Sequence, residues 1–311
     1  MIKRTLYFGN PAYLSTHLDQ LVVRLPEVEK NDTLPDSFKK EAQAKIPIED
    51  VGVVILDHQQ IIFSQALMAK LLANNTAFIT CDNTHLPTGL MLNLSGHTLQ
   101  AMRFKAQLEA SQPLLKQLWQ QTIKAKIKNQ ALLLQRCGTE AGNLLAWSKD
   151  VQSGDAGNLE ARAATYYWKN LFPEIPGFRR EREGPPPNNL LNYAYAILRA
   201  VIARSLVGSG LLPTLGIHHH NKYNHYCLAD DIMEPYRPFA DALVKDIVRS
   251  GEDFTQLSPS VKKQLLGIAA MDTLITGERS PLMVAAQRTT ASLARCFEGS
   301  EKKVLYPELP V

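Results

Sequence analysis

The stretch LPTGLMLNLSGHTLQAMRFKAQLEASQPLLKQLWQQTIKAKIKNQALLLQR, residues 86–136, changes its periodicity part-way along. As far as about Leu94 it is a short apolar run bounded by turn residues, which is how a strand reads. Beyond that point apolar residues recur every three to four positions, as on one face of a helix. A boundary near Ser95 to His97 therefore separates two kinds of chain.

Upstream of the boundary, four more short runs read as strands: IKRTLYF near residue 2, LDQLVVRL near residue 18, VGVVIL at 51–56 and TAFITC at 76–81. QALMAKLLANN interrupts them with helical spacing of Ala66, Leu67, Lys70, Leu71 and Leu72, and Asn74-Asn75 is a natural stop. Downstream, the spacing predicts helices over 97–110, 113–136, 140–150, 155–171, 188–208, 236–249, 258–276 and 280–298, with almost no strand. Asp155 and the pair Asn188-Asn189 suit N-caps, and Gly251 suits a C-terminal stop. The expected fold is α+β: a small β-rich domain with one embedded helix over 1–95, then a larger all-helical domain over 96–311.

At 311 residues the chain is long enough for two such domains, and 45% hydrophobic content suffices for ordinary cores. No stretch approaches the roughly 18 consecutive apolar residues of a membrane span. Asn10 and Pro11 interrupt the N-terminus too early for a secretory segment, so the expected location is cytoplasmic, with no membrane partner. Cys81, Cys137, Cys227 and Cys296 form no CxxC pair, which argues against a zinc ribbon or a dithiol redox site. A net charge of +4 is mild, but residues 111–136 carry Lys116, Lys124, Lys126, Lys128 and Arg136 with no acid among them.

Metal-ligand residue types concentrate in GIHHHNKYNHYCLADDIMEPYRP, residues 216–238. Three successive histidines cannot easily all face one ion, so at most one or two of His218, His219 and His220 are expected as ligands; His225 is a further candidate, and a solvated or phosphate-contacting run is the other reading. Asp230 and Asp231 lie four and three residues before Glu234, so in a helical turn they share a face. Such a cluster needs a cation or a basic partner, and two carboxylates with one imidazole suit Mg²⁺ or Mn²⁺. An acidic first helical turn next to Pro235 accounts for the same residues without a metal. Glu160, in GDAGNLEARAATYYWKN, shares its helical face with Ala163, Ala164, Tyr167 and Trp168 and would need compensation if buried. A pair with Arg162 or another basic residue on a solvated helix side is the other reading. Lys124, Lys128, Arg179, Arg180 and Arg182 are candidates for neutralising phosphates. Tyr166, Tyr167, Trp168, Tyr193 and Tyr195 could stack on bases, although most of these aromatics read as core, since Tyr193 and Ile197 lie on one helical face.

The order G-x-L-E-A at Glu160, F-R-R at 178–180, N-x-L-L-N-Y-A-Y-A-I-L near 188, G-I-H-H-H-N at 216–221 and L-A-D-D-I-M-E-P-Y-R-P at 228–238 resembles the universal CRISPR adaptation endonuclease-integrase family. The form that accompanies type II effectors is the most similar. The likeness covers essentially the entire chain, including ILDHQQIIFSQALMAKLLANNTAFITCDNTHLPTG and RSPLMVAAQRTTASL. It implies that Glu160, His219 and Glu234 are the catalytic, metal-binding residues, with His218 the alternative imidazole and Asp230 and Asp231 in support. It also implies dimerisation through the N-terminal domain, catalysis and DNA binding in the helical domain, and a heterohexamer with a small ferredoxin-like partner. The implied reaction is metal-assisted attack by a protospacer 3′-hydroxyl at the leader-repeat junction of a CRISPR array. A stand-alone nuclease, a transposon-type integrase and a non-catalytic DNA scaffold are the competing readings.

Overall fold

The computed structural model describes residues 3–311 and divides into two compact units, Met1–Gly96 and His97–Val311. Ile2 of the first strand reading lies outside the described residues.

The N-terminal unit has strands β1 (Arg4–Phe8), β2 (Ala12–His17), β3 (Gln20–Arg24), β4 (Ala44–Pro47), β5 (Val51–Leu56), β6 (Ile61–Phe63), β7 (Ala77–Cys81) and β8 (Pro87–Met91), with helices α1 (Pro26–Glu29), α2 (Asp36–Glu41) and α3 (Gln65–Ala73). They form two four-stranded sheets, ordered β1-β5-β7-β8 and β4-β3-β2-β6. In the first, β1, β5 and β7 run parallel and β8 returns antiparallel. Val51, Val53, Val54 and Ile55 of β5 are all buried, as a central parallel strand requires. The side chain of Ser64 accepts from Leu67 N to cap α3, and Leu67 and Leu71 enter the core with Leu14, Leu21 and Phe78. Three strands escaped the sequence reading: β4 and β6 have only four and three residues, and β2, with six, carries polar Ser15, Thr16 and His17 along half its length. The single embedded helix is joined by the short α1 and α2, neither of which buries a residue.

In the second unit the helices are α4 (Gln100–Leu108), α5 (Gln112–Arg136), α6 (Gly142–Asp150), α7 (Leu159–Leu171), α8 (Asn188–Gly208), α9 (Cys227–Met233), α10 (Arg237–Ser250), α11 (Pro259–Leu266) and α12 (Leu282–Phe297). Helix α8 is long and apolar enough to cross a membrane by composition, yet 78% of its apolar window is buried inside the fold. That burial accounts for its hydropathy, since a helix apolar all round belongs in a core. Gly251 ends α10 in the left-handed conformation.

Two readings are corrected. The helix expected over 258–276 stops at Leu266, and the chain then forms a hairpin of β9 (Asp272–Ile275) and β10 (Glu278–Pro281), so the unit is mostly rather than wholly helical. Thr276 and Gly277, both at positive φ (54° and 82°), make its two-residue turn, the geometry that matches strand twist. Helix α7 begins at Leu159 rather than Asp155. Asp155 still caps it from outside, its two carboxylate oxygens accepting from Leu159 N and Glu160 N at 3.0 Å each.

Because Gly277 holds a left-handed conformation, Gly277→Ala is expected to destabilise the protein by about 1 kcal/mol in urea unfolding, with no change in far-ultraviolet circular dichroism.

Candidate metal centre

Glu160 lies in the first turn of α7, where the Asp155 cap fixes the backbone that carries it. Glu234 opens a short 3₁₀ turn, Glu234–Tyr236, between α9 and α10. Lys126 of α5 stands between them: its Nζ is 2.6 Å from Glu160 Oε1 and 2.6 Å from Glu234 Oε2. The Lys126 and Glu234 side chains are only 12% and 5% exposed, so these charges meet largely out of water. Arg237 adds a second cation, 2.9 Å from Glu234 Oε1. Burial pushes the Glu234 carboxyl upward, but Arg237 and Lys126 outweigh it and hold the group below its ordinary range. Conversely, burial disfavours the Lys126 ammonium, and Glu234 and Glu160 more than restore it.

Helix α5 also positions the turn beneath Glu234. Asn129, buried, donates to Pro235 O at 2.7 Å and to Pro307 O at 2.9 Å, while its Oδ1 accepts from Leu309 N at 3.0 Å. One amide thus ties the Glu234 turn and the C-terminal segment to α5.

The histidine run sits on a loop organised by Asp231, which is fully buried on α9. Its carboxylate accepts from His218 N at 2.9 Å and contacts His219 Nδ1. Hydrogen bonding to Asp231 raises the His219 pKa, against the effect of burial. His218 stacks on Trp119 of α5, with ring centroids 4.1 Å apart and planes within 3°; partial burial and the neighbouring His219 lower its pKa. Gly216 has to be glycine here, because a Cβ would run into the His219 carbonyl and the Asp231 carboxylate. Upstream, Gln107 of α4 donates to Leu212 O and Leu215 O and accepts from Leu212 N, all at 3.0 Å, which fastens the approach to the loop.

The acids of 230–234 therefore separate by partner. Asp230 accepts from Arg199 Nε at 2.6 Å and Asn224 Nδ2 at 2.7 Å, Asp231 holds the histidine loop, and Glu234 meets Lys126. Glu160 pairs with Lys126 and not with Arg162, which lies over the Trp147 ring at 4.3 Å. Among the described residues no three His, Cys, Asp or Glu side chains converge as a ready metal-ligand group. Glu160 and Glu234 are brought together; His219 is turned to Asp231. Lys126, Asn129, Trp119 and Arg237 complete the surroundings. Sequence reasoning placed Lys126 only in a basic run, although its position seven residues after Trp119 marks a shared helical face.

The residues nonetheless fit a hard divalent ion. Two carboxylates face one cation position, and Glu234 Oε2 is buried with no hydrogen bond of good geometry, its Lys126 contact being an ion pair. Asp231 at Nδ1 leaves His219 Nε2 as the open ring nitrogen, the arrangement of a carboxylate–histidine–metal triad.

Of the basic candidates, Lys124 and Lys128 line a cleft of about 900 Å³ with Lys149, Lys302 and Lys303, and no acid lines it. Lys128 also pairs with Glu308 at 2.5 Å. Arg180 is committed to the fold through Asn188 Oδ1 at 2.9 Å and Asn192 Oδ1 at 2.7 Å, whereas Arg179 and Arg182 are exposed.

The family model described as CRISPR associated protein Cas1 matches residues 8–275. A CRISPR-associated endonuclease Cas1 of Neisseria meningitidis serogroup C (strain 8013) is 34% identical, the match covering 85% of this chain and 87% of that protein. A casposase bound to integration product shares the fold with a TM-score of 0.73 at 17% identity, over 98% of this chain and 92% of that one. A chain of a Cas6-RT-Cas1–Cas2 complex gives 0.72 at 21% identity, over 99% of this chain and 36% of that one. Fold and sequence agree on the class, a strand-rich unit followed by a mostly helical one. The chain belongs to the Cas1 family.

Two expectations follow. Asn129→Ala strands two buried carbonyls and one amide, and is expected to cost about 2–3 kcal/mol in urea unfolding. Asp241 on α10 is buried between Tyr195 Oη at 2.6 Å and Tyr167 Oη at 2.7 Å; burial raises its pKa from 3.8 to about 6, against the lowering effect of the two tyrosine hydrogen bonds. The folded protein thus holds this proton more tightly than the unfolded chain. The stability it confers is complete below pH 3.8 and is lost as pH rises through about 6. Thermal melts between pH 4 and 7 should show this decline in the wild type and a flatter profile in Asp241→Asn.

Proposed function

We propose that this protein is a divalent-metal-dependent DNA endonuclease and integrase that inserts protospacer DNA into a CRISPR array. The observation that carries the reading is the meeting of Glu160 and Glu234 at one largely buried cation position. The 34% identical relative, named as a CRISPR-associated endonuclease, supports it and favours spacer insertion over a transposon-type role.

Glu160, Glu234 and His219 would hold Mg²⁺ or Mn²⁺. When bound, the ion supplies positive charge that offsets the phosphate and stabilises the leaving oxygen. Arg237 keeps Glu234 ionised, and Asp231 fixes the His219 ring so that Nε2 remains the free donor. In the reaction a donor 3′-oxygen forms a new bond to phosphorus and the existing P–O3′ bond at the leader-repeat junction breaks. The donor hydroxyl gives its proton to solvent, and the released 3′-oxygen takes one up. Water in place of the donor hydroxyl gives cleavage.

Lys124, Lys128, Lys149, Lys302 and Lys303, with exposed Arg179 and Arg182, are suited to hold DNA phosphates. Homodimerisation through the N-terminal unit belongs to the same proposal. The likeness to a chain of a Cas6-RT-Cas1–Cas2 complex supports a protein partner; a small ferredoxin-like partner and a heterohexamer belong to the same proposal. Four free cysteines suit a cytoplasmic protein.

The test is strand transfer of a duplex donor with free 3′-hydroxyls into a supercoiled repeat-containing plasmid, with Mg²⁺ or Mn²⁺. Glu160→Gln and Glu234→Gln should each lose activity ~10²-fold or more, and among His218→Ala, His219→Ala and His220→Ala the second should lose most. Full activity in either glutamine variant sinks the metal-centre reading, and absence of strand transfer by the wild type leaves a DNA-binding scaffold.

A further inference from the structure

We propose that Lys126 is a resident cation that occupies the metal position in the metal-free protein, and that a divalent ion binds by displacing it. This rests on the metal-centre reading above and adds a determinant of metal affinity that lies outside the ligand set.

The Lys126 ammonium bridges the carboxylates assigned as ligands at 2.6 Å on each side, and these are the Glu160 and Glu234 oxygens a metal would take. Its side chain is 12% exposed, so solvent does little to screen it. Glu234 Oε2, buried, has the Lys126 ammonium at 2.6 Å as its ion-pair partner. Arg237 contacts the other oxygen, Oε1, and can stay when an ion arrives. Lys126 cannot, because an ammonium and a dication would then share the same two oxygens and repel each other at short range. A lysine suits the role: its charge is a single point on a flexible four-carbon stem, so it can leave without moving α5. The bridge also explains how two carboxylates from different elements stay together without a metal, a pairing otherwise costly in low dielectric.

Direct Mn²⁺ titration by calorimetry provides the test, with no DNA present. Lys126→Met should bind Mn²⁺ at least ~10-fold more tightly than wild type, each tenfold being 1.4 kcal/mol, and should gain more thermal stability from it. Lys126→Arg, which keeps the charge, should retain weak binding. Equal or weaker binding by Lys126→Met, with Glu160→Gln and Glu234→Gln still reducing affinity, overturns the displacement while leaving the metal centre intact. Absence of Mn²⁺ binding in wild type and Lys126→Met alike overturns both. Should Lys126→Met not fold, the wild type decides the matter through amine labelling followed by mass spectrometry. Lys126 should become more reactive when Mn²⁺ is added, and unchanged or lower reactivity refutes its displacement.

Discussion

Two carboxylates from elements more than seventy residues apart can share one poorly solvated position only if positive charge stands between them. Leaving a buried acid uncompensated costs several kcal/mol, and leaving two side by side costs more. Lys126 meets that requirement, and the rest of the helical unit is arranged so that it can. The same helix stacks Trp119 on His218, and through Asn129 it holds the backbone at Pro235 and the chain end at Pro307 and Leu309. Thr122, one turn before Lys126, bonds the Tyr306 hydroxyl at 2.8 Å and so ties the C-terminal segment to α5 again. Helix α5 is the frame on which the site is assembled.

Much of this architecture was legible from periodicity. The change from strand-like runs to helical spacing, the capped helix at 65–73 and the long core helix at 188–208 all follow from local pattern, because there pattern and burial agree. The hairpin at 272–281 was missed for a physical reason: its strands have four residues each, and the apolar run before them continues the spacing of α11. Thr276 concealed the turn further, since a β-branched residue rarely adopts positive φ. It is held there by its own hydrogen bond to Ile275 O at 2.7 Å and by Arg288 Nη2, also at 2.7 Å.

At the site, sequence identified the acids but not their partners. Asp230, Asp231 and Glu234 look like one cluster in the chain, yet α9 turns its two aspartates apart and the 3₁₀ turn that follows aims Glu234 at a third element. Arg199 comes from α8, the histidine loop precedes α9, and Lys126 comes from α5. A helix of seven residues distributes its side chains around its axis, and nothing local says which cation waits on each side. Lys126 was hidden for the converse reason. A lysine in a basic run reads as solvated, and only tertiary packing shows that this one is turned inward.

The candidate donors also differ in how firmly they are held. Glu160 sits between two anchors on α7, the Asp155 cap at the helix start and Tyr167 two turns on, whose hydroxyl donates to buried Asp241. Asp241 also receives Tyr195 of α8, whose ring lies 5.0 Å from the Arg237 guanidinium that meets Glu234. Helix α7, which carries Glu160, and Arg237, which meets Glu234, are thus both tied to the buried Asp241. His219 is not: it rides on an exposed loop attached through Asp231 and the close approach at Gly216. On the proposed metal reading, the two carboxylates that meet at Lys126 set the cation position, and the imidazole comes to it from a loop rather than from a helix.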